Sequence, residues 1–146
     1  MRAADRIAEL GSQGMYCSQI LLTLGLDLRG EDNPELVKSM AGLAGGLGFT
    51  GGTCGSLTGA ACLLGLYAGR GSAEEEEDYR LQLMVTELVD WFHERFGGEY
   101  GGITCAEILD GKPGNKAARC PGIVTESFQK VKELLVQEGF DLAGEP

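Results

Sequence analysis

Glycine punctuates this chain 24 times in 146 residues, and the intervals between its pairs and runs carry apolar residues at helical spacing. A chain interrupted this often builds few long elements, and its periodicity points to helices joined by tight turns. Alternating strand patterns are almost absent. The expected fold is therefore all-α, a compact bundle of about six or seven helices, with residues 1–146 forming a single four-cysteine helical domain.

Ile7 and Leu10 suggest a short opening helix that ends near Gly11. Cys17, Ile20, Leu21 and Leu24 follow the i, i+3, i+4, i+7 pattern, which predicts a second helix stopping at Gly25 with Cys17 on its apolar face. Asn33 and Pro34 form a start signal, cap and first-turn proline, ahead of a stripe of Leu36, Val37, Met40, Leu43 and Ala44. Beyond a glycine-rich loop over 45–53, a small-residue helix is expected from Thr53 or Cys54 to about Ala68. Gly55, Gly59 and Ala60 in it allow another backbone to come close.

The acidic run from Glu74 to Asp78 reads as the start of the longest helix, where carboxylates complement the helix dipole. Leu81, Met84, Val85, Leu88, Phe92 and Phe96 form its inward stripe, and Gly97-Gly98 is the expected end. His93, the single histidine, lies beside that stripe and reads as a surface or boundary residue. Thr104 and Glu107 make a capping box for a short helix, and 110–119 reads as loop. A last helix is expected from Pro121, with Phe128, Val131, Leu134 and Leu135 inward and Gly139 as its end. The final residues, including Gly144 and Pro146, read as frayed.

Twelve Lys and Arg stand against 22 Asp and Glu, a net charge of -10, which argues against nucleic acid or an anionic membrane as the main partner. No apolar run approaches the length of about eighteen residues that a membrane span needs, so direct membrane insertion is not expected. Asp5 falls where a signal peptide would be hydrophobic, so a cytoplasmic location is expected. Five cysteines in that compartment read as thiols, ligands or a transient disulfide rather than a secreted scaffold.

The placement of those cysteines carries the chemistry. Cys54 and Cys105 each follow a glycine pair and a threonine, and Cys120 directly precedes Pro121, so all three read as helix mouths. A thiol in the first turn feels the helix dipole and free backbone N–H groups, which favour its thiolate. Each such interaction is worth roughly 0.3–1 kcal/mol in exposed settings, less than one pKa unit alone. There is no CxxC pair, so spacing alone is weak support for a metal; a four-thiol site must be assembled by folding. Cys62, among Ala60, Ala61, Leu63 and Leu64, reads as buried filler. The loop Gly45-Gly46-Leu47-Gly48-Phe49-Thr50-Gly51-Gly52 lacks the Lys-Ser/Thr ending of a P-loop and any preceding strand, so its glycines read as a tight turn bringing Cys54 against another helix.

With Tyr16-Cys17-Ser18-Gln19, then Gly45-Gly46-Leu47-Gly48, Thr53-Cys54-Gly55-Ser56-Leu57-Thr58-Gly59-Ala60 and the later Cys105 and Cys120, the chain resembles the C_GCAxxG_C_C family of redox-active proteins from about Gly14 to Leu135. Where the family name has alanine after the central cysteine region, this chain reads Gly55-Ser56-Leu57. The resemblance implies four functional cysteines, Cys17, Cys54, Cys105 and Cys120, with a redox or metal-related role, and leaves Cys62 outside the set. It supplies no settled reaction.

Three chemistries follow for these four residues. They can hold an iron–sulfur cluster for electron transfer, or zinc in a structural role. Without metal they can exchange disulfides with a protein redox partner, with Cys54 as the expected nucleophile, Cys105 in a similar electrostatic setting and Cys17 as a buried resolving thiol. The alternative is a non-catalytic structural or interaction subunit of a redox or transport system, since no triad, paired carboxylate site or complete cofactor motif is present. Apolar helix faces also allow a homodimer.

Overall fold

The computed structural model describes residues 2–142, so the expected fraying of Gly144 and Pro146 lies outside the described residues. The protein is all-α. Its longer helices are α1 Ala3–Ser12, α2 Cys17–Arg29, α3 Pro34–Ser39, α5 Gly55–Ala68, α6 Arg80–Phe92, α8 Cys105–Leu109 and α9 Gly114–Gln137. Two single turns, α4 Ala44–Leu47, left-handed at Gly45, Gly46 and Leu47, and α7 Gly98–Tyr100, complete the set. Among the described residues the sole β contact is an isolated antiparallel bridge between Thr53 and Thr104.

Helix α5 runs through the middle, packed against α2, α6 and α9. Leu57, Ala60, Leu63, Leu64 and Ala68 on α5 join Leu21 and Leu24 of α2, Leu88 and Phe92 of α6, and Val131 and Leu135 of α9 in one buried cluster. The apolar stripes of α6 and α9 follow the helical period, which is why both helices seat one face on this cluster and leave the other in water. Small residues set the closest crossing. A methyl at Gly59 would stand 3.0 Å from the Ser18 Cα, so α2 and α5 meet backbone to backbone. Ser18, fully buried at that crossing, donates from Oγ to the Met40 carbonyl at 2.9 Å and ties the 3-10 turn Met40–Leu43 to α2.

Several helix ends differ from expectation for identifiable reasons. Helix α2 passes through Gly25 to end at Gly30, which adopts the left-handed conformation of a C-terminal glycine. Gly25 is instead a contact residue, since a methyl there would meet Leu63 Cγ at 2.7 Å. The acidic run lies outside any helix; α6 begins at Arg80, and Asp78 accepts from the Arg80 backbone N–H at 2.9 Å just before it. Gly97-Gly98 does not end that element either: a π-helical turn over His93–Gly97 carries Phe96 into the core, and the chain turns away only at Gly101, φ +82. His93 is exposed, as expected.

The longest helix is α9, and it begins seven residues before the expected proline. Pro121 sits inside it, on an exposed face, where a missing N–H leaves one carbonyl to water rather than buried. By contrast, the local signals at Asn33 and Thr104 hold: Asn33 Oδ1 accepts from the Leu36 N–H at 3.1 Å, and Thr104 Oγ1 accepts from the Glu107 N–H at 3.1 Å. No helix among the described residues is long and apolar enough to cross a membrane.

Candidate functional site

The glycine-rich loop and the second glycine pair meet each other. Gly45, Gly46, Gly48 and Gly51 all have positive φ, which folds the loop back so that the Gly52 N–H donates to the Gly46 carbonyl at 3.0 Å. A methyl at Gly46 would collide with the Gly52 backbone, so only glycine fits there. Gly52 then passes the contact on: its carbonyl accepts from the Cys105 N–H at 2.7 Å, and the Cys54 N–H donates to the Ile103 carbonyl at 3.0 Å. These bonds flank the Thr53–Thr104 bridge and bring the two Thr-Cys segments side by side.

Three cysteines stand at helix starts, although not the three expected. Cys17 is the first residue of α2, Cys105 the first of α8, and Cys54 the residue capping α5. Cys120, expected at a helix mouth, lies in the second turn of α9 because that helix starts at Gly114. Cys17, expected on the apolar face of α2, does pack against the core from the first position of that helix, and its sulfur faces Gly55, where a methyl would approach it to 2.7 Å. Cys62, expected as buried filler, is exposed and does not adjoin the others.

The electrostatics connect the remaining four. Burial raises the Cys17 thiol to about 11, and the negative charge of Cys54 and Cys105 adds to the effect. Cys120 is pushed up to about 12 by burial, then by Cys17, Cys54 and Cys105, with Lys116 opposing. Cys54 is raised by burial against the opposing hydrogen-bond donors Ser56 and Leu57. Cys105, the thiol least burdened by its neighbours, is raised by burial and eased by Lys116. Charge on one of the four thus bears on the others.

The expected gain from helix ends is outweighed. The Cys54 and Cys105 N–H groups are spent on the loop pairing, and the Ser56 and Leu57 N–H groups approach the Cys54 sulfur without closing a conventional cap bond. A helix-end interaction of roughly 0.3–1 kcal/mol cannot offset the removal of a thiolate from water. All four thiols are therefore held above the ordinary thiol value, and Cys54, only 6% exposed, lacks the open approach that its glycine-rich surroundings suggested. Cys105 is half-buried and more open.

Two participants have no obvious mark in the sequence. Ser56 is buried, and its hydroxyl is within hydrogen-bonding reach of both Cys17 and Cys54, easing the ionisation of whichever sulfur it donates to. Its position two residues after Cys54, facing back over the first turn of α5, is the one available signal. Lys116 stands one helical turn before Cys120, a relation visible only once α9 is known to start before Pro121.

All five cysteines are free thiols, and among the described residues no group of three or more His, Cys, Asp or Glu side chains is arranged to hold a metal ion. The four thiols as placed thus do not fit a preformed metal centre. Three of them, Cys17, Cys54 and Cys105, stand at helix starts, and Cys120 lies inside α9. The chain belongs to the C_GCAxxG_C_C family, described as putative redox-active protein, whose model matches residues 15–134. No curated protein and no solved structure matches it.

Proposed function

We propose that Cys17, Cys54, Cys105 and Cys120 form one redox site that exchanges two electrons with a protein partner by thiol–disulfide exchange. The observation that carries this reading is the pairing of the Cys54 and Cys105 segments across the Thr53–Thr104 bridge, with Cys17 and Cys120 within electrostatic reach. Cys105 is the better attacking thiol, because it is the more open and has Lys116 to favour its thiolate. Cys54 is the resolving thiol.

The electron count closes within the pair. The Cys105 thiolate attacks a partner disulfide, forming a mixed disulfide as one partner thiolate leaves. The Cys54 thiolate attacks the Cys105 sulfur, closing a Cys54–Cys105 disulfide and releasing the second partner thiolate. Two protein thiols are oxidised, the partner disulfide is reduced, and the two protons leave with the partner thiols. Cys17 and Cys120, the thiols held highest, stay protonated through this exchange and keep the site's charge low.

Free-thiol counting before and after treatment with a disulfide oxidant, on protein purified without air, tests the reading together with metal and sulfide analysis. The expected result is reversible loss of two thiols, mapped to Cys54 and Cys105 by mass spectrometry. Stoichiometric iron and sulfide, or zinc lost on Cys54→Ser, would instead assign the four cysteines to a cluster or a structural metal. Five thiols that resist the oxidant in the folded protein would leave a non-catalytic structural or interaction subunit.

A further inference from the structure

We propose that Leu47, Phe49 and Lys116 form a docking rim beside the thiol site for a partner protein segment that carries apolar and acidic residues around its disulfide. Leu47 and Phe49 are 56% and 61% exposed, and both have left-handed backbones, φ 68 and φ 62. Two large apolar side chains held in water on a conformation unfavourable for such residues need an explanation, and strained residues of this kind concentrate at binding sites. The loop that carries them is the one that pins Cys105: its Gly51 carbonyl accepts from the Ala106 N–H at 3.3 Å, and Gly52 holds the Cys105 N–H. Phe49 packs edge-on against Tyr16 at 5.3 Å, one residue from Cys17, and the Lys116 ammonium lies 5.8 Å from the Tyr16 ring.

Charge selects the occupant. The chain carries a net charge of -10, yet beside Cys105 it presents Lys116, which forms no ion pair among the described residues. An ammonium free of carboxylates next to exposed apolar side chains complements, at contact range, a segment with the opposite charge and its own apolar residue. A basic segment would meet repulsion from Lys116 at the rim. This inference rests on the thiol-exchange reading and adds to it which disulfides are taken.

The test uses the reduced full chain and two short disulfide-linked peptides, one with Leu and Glu flanking its cysteine, the other with Ser and Lys. Mixed-disulfide formation at Cys105 is followed by mass spectrometry at low and high salt in the full chain carrying Cys54→Ser, which cannot resolve the adduct, with methyl methanethiosulfonate as a small neutral reagent. The Leu/Glu peptide is expected to react faster by about tenfold or more at low salt, with the gap shrinking as salt screens the charge. Leu47→Asn with Phe49→Asn keeps residues that tolerate the left-handed backbone, so it is expected to remove most of the peptide preference while leaving the small reagent's rate unchanged.

Lys116→Glu is expected to reverse the salt dependence of the Leu/Glu peptide. Equal rates for the two peptides, or a preference untouched by the Asn pair, would overturn the docking proposal and leave the exchange reading standing. A dimer in sedimentation that Phe49→Asn dissociates would assign the rim to a second copy and overturn it too. Cys105 inert to both peptides and to the small reagent would overturn the exchange reading, and this inference with it.

Discussion

The Cys17 sulfur occupies the space that a side chain at Gly55 would need: a methyl there would stand 2.7 Å from Sγ and 3.3 Å from the Leu43 carbonyl oxygen. Gly55→Ala should therefore either expel the thiol from its place or push α2 away from α5. Overpacking of this kind costs about 1–3 kcal/mol. The expected result is a lowered midpoint in urea unfolding, together with faster alkylation of Cys17 in the folded state. Gly65→Ala, in the same helix with open space at the Cβ position, is the matched control and should leave Cys17 unreactive.

The hydroxyl of Ser56 is within reach of two sulfurs. Removing it in Ser56→Ala takes away a donor that eases ionisation of whichever of Cys17 and Cys54 it donates to, so the pH at which that thiol becomes alkylated should rise. Cys105, whose ionisation is governed by burial and Lys116, should keep its own pH dependence. Residue-resolved alkylation across an alkaline pH series distinguishes this from a general loosening, which would speed all three.

Stability should fall in alkali more steeply than surface titration alone requires. Cys17 at about 11 and Cys120 at about 12 bind their protons more tightly in the folded chain than an unfolded thiol does, with an ordinary value of about 8.5. Below that value both states are protonated and the contribution is fully present. As pH rises towards 11 and 12 the unfolded chain releases its protons first, and folding loses at most roughly 1.4 kcal/mol per pH unit per thiol, with less from the partly exposed Cys120. Urea melts at about pH 8 and about pH 10.5 should show a smaller loss in Cys17→Ala with Cys120→Ala than in the parent chain. Equal slopes would refute the buried-thiol assignment.

Ser127 on α9 is fully buried and its Oγ has no hydrogen-bond partner. A hydroxyl desolvated without a partner costs stability, so Ser127→Ala should be neutral or stabilising, by up to about 1 kcal/mol. Thermal melts of the two proteins compare them directly, and a lowered midpoint would mean the hydroxyl is in fact satisfied.

Local signals were readable in the sequence, and tertiary ones were not. Asn33-Pro34 and Thr104 with Glu107 act through bonds that span three residues, so their helix starts fall where the sequence puts them. Gly25 failed as a stop signal because its use is contact with Leu63, a residue of another helix. Pro121 failed as a start signal because a proline on an exposed helix face leaves its freed carbonyl to water, which the residue pattern around it does not reveal. The Cys54 and Cys105 segments lie side by side through backbone pairing of Thr53 with Thr104, and periodicity carries no information about partners so far apart. The sign of the thiol shifts was misjudged for the same reason: a helix start is a local property, whereas burial belongs to the whole fold.

The Thr53–Thr104 bridge also decides when the chain is vulnerable. Before it closes, the Cys54 and Cys105 thiols are solvated and open to any oxidant; once it closes, Cys54 is only 6% exposed and Cys105 half-buried, so of this pair Cys105 alone stays open to reagents. A nascent or heat-loosened copy therefore risks scrambled disulfides that a mature copy resists, and reducing conditions during synthesis should govern the yield of native protein more than its survival afterwards.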